Sequence, residues 1–101
     1  MATINNFTPL ATTSVSVSGT HAEGTLTTPT APVNTSVRVY NATTVTVFIK
    51  FGVAGIAAAT TDTPIPAGAV EVFDIGPNIT TISGITAGTS GTLYATTGMG
   101  T

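Results

Sequence analysis

The stretch VTVFIKFG, residues 45–52, has the alternating pattern of a half-buried β-strand, in which successive side chains point to opposite faces of a sheet. One face is apolar and is predicted to lie in the core; it consists of Val45, Val47, Ile49 and Phe51. The other face carries Thr46, Phe48 and Lys50. Phe48 is therefore a large apolar side chain on the face expected to be exposed to water. A partner that covers Phe48 would bear on the function of the protein.

The same alternation recurs along the chain in short runs separated by Gly, Pro, Asn or Asp, which is typical of β-sandwiches and barrels. It predicts seven strands, at residues 13–18, 26–28, 36–40, 45–51, 69–75, 80–85 and 92–97. Two prolines and a glycine predict a turn over residues 64–68. No segment of a dozen residues has the periodicity of an amphipathic helix. We therefore predict an all-β protein made of two small packed sheets.

The first twelve residues alternate little and carry Phe7, Pro9 and Leu10. We predict an N-terminal arm over residues 1–12 and a single β-sandwich domain over residues 13–101, because a chain of 101 residues has the size of one domain. The arm has two interpretations: a frayed terminus, or a segment that docks on a neighbouring molecule through Phe7.

Charged residues make up only 6% of the chain, against roughly 25% in ordinary soluble domains. With Arg38 and Lys50 as the only cations, no basic patch is available to neutralise phosphates, so we expect no nucleic-acid partner. The hydrophobic content of 42% and net charge of −2 differ from those of disordered chains. No apolar run approaches the ~20 residues of a membrane span, and the N-terminus lacks a signal-peptide pattern, so we expect a soluble protein without a membrane partner.

The chain contains few residues of the types that act in catalysis or bind metal ions. There is no cysteine, and His21 is the single histidine, two residues before Glu23 and without further metal ligands nearby in sequence. Asp62 and Asp74 are better explained as caps of turns than as an acid–base pair. We therefore expect no enzymatic activity, no catalytic residue, no metal and no cofactor.

The outward faces of the strands are the remaining candidate site. If strands 36–40 and 45–51 are neighbours in one sheet, Arg38, Tyr40, Phe48 and Lys50 form one outer patch. Residues 42–44 lack the Gly or Asn of a tight hairpin loop, so a crossing to the other sheet is the alternative. Strand 69–75 is also apolar on both faces, which predicts cover by a partner or by loops of the same chain. The four patch residues, together with Phe7, are the predicted protein interface.

Four motifs, in this order, resemble small structural proteins of tailed bacteriophages. They are V37-R-V-Y-N41, V45-T-V-F-I-K-F-G52, P64-I-P-A-G-A-V-E-V-F-D-I-G76 and G91-T-L-Y-A-T-T-G98. Among these proteins, the chain resembles the head decoration, or cement, proteins. The resemblance covers about the C-terminal two-thirds, and such motifs also occur in phage fibre and tail modules.

The resemblance implies a jelly-roll-like antiparallel β-sandwich that binds the outer surface of an assembled capsid and reinforces contacts between major capsid subunits. The implied partners are the major capsid protein and further copies of the chain, with a homotrimer expected. The implied location is the outer capsid surface of the virion, after synthesis in the host cytoplasm. The alternative function is a glycan- or receptor-binding module of a phage fibre or tail, in which Tyr40 or Tyr94 stacks on a sugar ring.

Overall fold

Eight antiparallel strands form two four-stranded sheets in a computed structural model, which describes residues 8–27, 35–76 and 78–99. The strands are β1 (Thr8–Val17), β2 (Ala22–Thr25), β3 (Thr35–Asn41), β4 (Val47–Gly52), β5 (Thr63–Ile65), β6 (Val70–Ile75), β7 (Thr81–Ile85) and β8 (Gly91–Met99). Sheet A has the order β1-β8-β3-β6, and sheet B has the order β2-β7-β4-β5. The prediction of an all-β sandwich is confirmed.

The order of the strands is that of an eight-stranded jelly roll. β1 pairs with β8, β2 with β7, β3 with β6 and β4 with β5. Together these four pairs form one long antiparallel ribbon of two chain segments. The ribbon is rolled up, and two further pairings, β3 with β8 and β4 with β7, complete the two sheets. The jelly-roll-like architecture is therefore present in the described part of the chain.

The core lies between the sheets and is filled by β-branched and other aliphatic side chains from both inner faces. Its fully buried members include Val15, Val17, Val37, Val39, Val47, Ile49, Ile65, Ile82 and Leu93. Phe51 of sheet B meets Phe73 of sheet A with ring centroids 5.4 Å apart and planes tilted by 58°. Of the predicted core face, Val47 and Ile49 are buried, whereas Val45 and Phe51 are half-buried.

The N-terminal boundary differs from the prediction. Residues 8–12, assigned to an arm from the sequence, belong to β1, where Thr12 pairs with Thr96 of β8. A register shift between Pro9 and Ala11 interrupts the alternation, which is why the pattern did not reveal the strand. Residues 1–7, including Phe7, lie outside the described residues.

Two further elements differ from the prediction. β2 covers residues 22–25 rather than 26–28, and Leu26 follows it with its backbone N–H bonded to the Thr80 carbonyl at 2.8 Å. β5 occupies part of the segment predicted as a turn, because Pro64 is tolerated on an edge strand. The turn itself is tighter and ends at Gly68, whose φ of 74° favours glycine.

Candidate interaction surface

The predicted patch of four residues is divided between the two sheets. Arg38 and Tyr40 lie on β3 in sheet A, and Phe48 and Lys50 lie on β4 in sheet B. Consecutive strands β3 and β4 are not neighbours, so the alternative in which the chain crosses to the other sheet is the correct one. Each pair of residues faces outward from its own sheet, and the two pairs therefore lie on opposite sides of the sandwich.

The side chain of Asn41 explains why the chain crosses here. Asn41 is fully buried at the end of β3, and its Nδ2 donates hydrogen bonds to the carbonyls of Val45 and Ile65, each at 2.8 Å. Its Oδ1 accepts bonds from the backbone N–H of Thr43 at 2.9 Å and from the Thr43 hydroxyl at 2.7 Å. Since Ile65 belongs to sheet B, one amide side chain ties the end of a sheet A strand to the opposite sheet.

Sequence reasoning missed this role of Asn41. The available signal was an Asn followed two residues later by Thr, the pattern of a side-chain-capped turn.

The outer face of sheet A contains a stacked pair of tyrosines. Tyr40 of β3 lies directly opposite Tyr94 of β8, with ring centroids 6.2 Å apart and an interplanar angle of 13°. The two side chains are 41% and 38% exposed. Tyr94 was not among the predicted interface residues, because its proximity to Tyr40 depends on a pairing between strands more than fifty residues apart in sequence.

Exposed valine side chains of β6 lie beside the tyrosine pair, at the edge of sheet A. On β6, Val70 lies opposite Tyr40, and Val72 lies opposite Arg38. Both valines are about half exposed, at 52% and 51%. On the other side of Tyr94 the face becomes hydroxyl-rich, with Ser14 and Thr12 on β1. We call the outer face of sheet A, centred on Tyr40 and Tyr94, the tyrosine face.

Arg38 is the one cation on the tyrosine face and is half-buried. It lies between Thr96 of β8 and Val72 of β6 in the sheet. Asp74, further along β6, accepts a hydrogen bond from the Ser36 hydroxyl at 3.0 Å. The face therefore combines exposed aromatic and aliphatic side chains with hydroxyl groups and few charges.

The outer face of sheet B is partly covered by the chain itself. Phe48 is half-buried between its cross-strand neighbours Pro64 and Ile85. Beside it, Lys50 is exposed and lies opposite Ser83. Phe48 thus has apolar neighbours within its own sheet, and the prediction that it contacts a second protein remains a prediction.

The segment that connects β4 and β5 folds back over sheet B. The backbone N–H of Ala58 donates to the Ser83 hydroxyl at 3.0 Å, and that of Gly55 donates to the Glu23 carboxylate at 3.1 Å. Ala58 and Ser83 are both buried as a result. None of the segments in the described part of the chain covers Tyr40 or Tyr94 in this way, which makes the tyrosine face the better candidate surface.

The titratable residues have structural partners or are exposed. Asp62 caps a turn, as predicted, by accepting the N–H of Ala59 at 2.7 Å, whereas Asp74 lies within β6 and not at a turn. His21 is exposed immediately before β2. Within residues 8–27, 35–76 and 78–99 there is no group of three or more His, Cys, Asp or Glu side chains that would hold a metal ion, and no cavity is found. The same residues include no helix with the length and hydropathy to cross a membrane.

None of the protein-family models, curated proteins and solved structures compared with this chain matches it.

Proposed function

We propose that this chain is a structural protein of a bacteriophage virion, which binds the outer surface of the capsid through the tyrosine face and reinforces contacts between major capsid subunits. The observation that carries the proposal is the stacked and exposed pair Tyr40 and Tyr94, next to Val70 and Val72 on an open sheet face. The resemblance of the four sequence motifs to decoration proteins supplies the identity of the partner.

The composition of the tyrosine face suits a protein contact. Tyrosine and arginine are the residue types enriched at energetically important interface positions, and Tyr40, Tyr94 and Arg38 lie together here. Hydroxyl side chains such as Thr12 and Ser14 are less costly to desolvate than charged groups. A chain with 6% charged residues therefore buries this surface at a small electrostatic cost.

The area of the tyrosine face indicates how much surface each bound copy could contribute to contacts with the capsid. Four strands about 4.8 Å apart, the longest of about 30 Å, give a face of roughly 550 Å² in projection. A standard interface buries about 800 Å² of accessible surface on each partner, and the accessible surface of a face exceeds its projected area, so the tyrosine face is comparable in size with one such interface. We expect reinforcement of the shell to come from many copies bound at equivalent positions.

The proposed activity needs no chemical step. A protein that binds the assembled shell more tightly than its separated subunits stabilises the shell by mass action. The bound chain would lie on the outside of the virion after synthesis in the host cytoplasm, and copies of the chain would contact each other as well as the capsid.

The test is co-sedimentation of purified variants with capsids of the phage that encodes the chain, stripped of this protein. Tyr94→Asp places a charge at the centre of the tyrosine face and should abolish binding, whereas Lys50→Asp, on the opposite sheet, should bind as the unchanged protein does. Both positions are exposed, so both variants should fold; circular dichroism checks this. Equal binding of both variants, or loss with Lys50→Asp alone, would refute the role of the tyrosine face. Failure of the unchanged protein to bind any capsid would refute the function.

One observation favours a second candidate function. An exposed tyrosine ring offers a flat face on which a sugar ring stacks, and the structure brings together Tyr40 and Tyr94, either of which serves the glycan-binding alternative. That function predicts a signal on a glycan array that is lost in Tyr94→Ala and retained in Lys50→Ala. A blank array together with binding to stripped capsids would exclude it.

A further inference from the structure

The strand β6 forms one edge of sheet A, next to the tyrosine face. It pairs with β3 on one side, and none of the strands in the described part of the chain pairs with it on the other. Val70 and Val72, which are half exposed, are on this strand. An unpaired strand edge presents backbone N–H and C=O groups that are able to pair with another strand.

The hydrogen bonds at the start of β6 establish which of its residues direct their backbone N–H and C=O groups away from β3. The N–H of Asn41 on β3 donates to the carbonyl of Ala69 at 3.0 Å, so the backbone of Ala69 faces β3. In an antiparallel ladder, alternate residues bond to the same neighbour. Residues 71, 73 and 75 therefore also face β3, and the backbone groups of Val70, Val72 and Asp74 face away from it.

We propose that a second copy of this chain pairs with this edge, antiparallel and across a two-fold axis at Val72. Val72 is the middle one of the three residues whose backbone groups face outward, so a two-fold axis there pairs Val72 with Val72 of the second copy and Val70 with its Asp74. The two-fold axis repeats the Val70–Asp74 pair, so there are three hydrogen-bonded pairs; each exchanges two N–H···O=C bonds, which gives about six bonds in total. The register also keeps inward-facing side chains of both copies on the same side of the joined sheet.

The charges on the strand are compatible with this register. Asp74 lies opposite Val70 of the second copy, and Glu71 lies opposite its Phe73, so no two carboxylates face each other directly. The two Glu71 side chains are diagonal neighbours, about 7–8 Å apart, where their repulsion is weak. The pairing joins the two tyrosine faces into one continuous surface and brings Val72 of each copy together.

The other three edges are less suited to pairing. β2 and β5 are short, with four and three residues, and β5 contains Pro64. The C-terminal part of the β1 edge lies close to sheet B: Thr86 donates its N–H to the carbonyl of Ser18, just after β1, at 2.8 Å, and a methyl group added at Gly24 of β2 would lie 3.8 Å from the carbonyl oxygen of Ser14. Among the described strands, β6 is therefore the edge that best suits a second copy.

The size of the contact predicts its strength. A strand of six residues spans about 20 Å, and its pairing buries less than the ~800 Å² on each partner of a standard interface. We expect a reversible dimer with a dissociation constant on the order of 1–100 µM. A two-fold dimer is a different assembly from the trimer that the sequence resemblance implies.

Cysteine cross-linking tests the register, because the chain has no cysteine of its own. In the proposed dimer the two Val72 residues form a hydrogen-bonded pair, whose Cβ atoms lie near the upper end of about 4.5–5.5 Å and so are too far apart for an unstrained disulfide, which needs about 3.5–4.5 Å. A short bis-maleimide spans this distance, so it should join Val72→Cys into a covalent dimer at about 20 µM. Val53→Cys is the control, since Val53 is similarly exposed, at 56%, but lies after β4 in sheet B. Equal yields of dimer from both variants would overturn the proposal.

Sedimentation equilibrium from about 5 to 500 µM provides the second test. The unchanged chain should pass from monomer to dimer over this range. Val72→Pro removes an N–H that faces away from β3 and so leaves the β3–β6 ladder intact, and it should raise the dissociation constant at least ten-fold. A native-like circular dichroism spectrum verifies its fold; if the spectrum is lost, Val72→Lys, which changes only the exposed side chain, replaces it in the same measurement. A monomer at every concentration, a trimer, or a dimer unaffected by the substitution would each overturn the proposal. None of these outcomes depends on capsid binding.

Discussion

Asn41→Ala should destabilise the protein more than any other single substitution of a polar residue in the crossover between the sheets. The amide of Asn41 makes four hydrogen bonds in a buried site, two through Nδ2 and two through Oδ1. Truncation to Ala removes all four.

The size of the destabilisation depends on how many hydrogen-bond partners of Asn41 are left without a bond. The hydroxyl of Thr43 lies 2.7 Å from the Val45 carbonyl and is able to donate to it once Asn41 is gone. The Ile65 carbonyl and the backbone N–H of Thr43 then lose the bonds they make to Asn41. A buried polar group that loses its partner costs about 1–3 kcal/mol, so the substitution should cost about 2–6 kcal/mol. Domains of this kind have a total free energy of unfolding of about 5–15 kcal/mol, so the effect is a large part of it.

Urea denaturation followed by far-ultraviolet circular dichroism measures this change in the free energy of unfolding. Asn78→Ala is the matched control, because Asn78 is exposed, and it should change stability by less than about 0.5 kcal/mol. A loss below about 1 kcal/mol for Asn41→Ala, with an unchanged m-value, would refute the claim that the Asn41 amide holds the two sheets together at this crossover.

Two further substitutions test the packing of the sandwich. Ile49→Ala removes a buried side chain from the centre of β4 and should lower the free energy of unfolding, measured by urea denaturation, by about 2–5 kcal/mol. The control is Lys50→Ala at the neighbouring, exposed position, which should lower it by less than about 0.5 kcal/mol. Similar losses from both variants would show that β4 is not oriented as described. Gly24→Ala places a methyl group 2.7 Å from Thr13 Cγ2 and 2.9 Å from Val15 Cγ2, so it should lower the thermal midpoint by an amount equivalent to about 1–3 kcal/mol, and an unchanged midpoint would contradict the close approach of β2 to β1.

The fold class was predictable because alternation survives in most strands. Val47 and Ile49 were assigned to the core from period-two patterning alone, and both are buried. The same rule failed where something other than side-chain polarity sets the structure. A register shift after Pro9 hides the first half of β1, and Pro64 suggested a turn where a short edge strand exists. Local signals of this kind are ambiguous until the neighbouring strand is known.

The candidate surface was only partly predictable for a related reason. Arg38 and Tyr40 were recognised as outward-facing, but their true neighbours depend on which strand pairs with β3. The crossing after Asn41 separates them from Phe48, and the pairing with β8 brings Tyr94 beside Tyr40 instead. Contacts between residues far apart in sequence follow from the global strand order, which the alternation of single strands does not specify.

Hydroxyl-radical footprinting of the intact virion and of the purified chain determines whether the tyrosine face is the surface that contacts the capsid. Both tyrosines of the chain lie on the tyrosine face, so the oxidation of Tyr40 and Tyr94 reports on that surface alone, and Phe48 reports on the outer face of sheet B. We expect incorporation into the virion to reduce the oxidation rate of both tyrosines several-fold and to leave that of Phe48 unchanged. Undiminished oxidation of the tyrosines in the virion, or protection of Phe48 in their place, would contradict it.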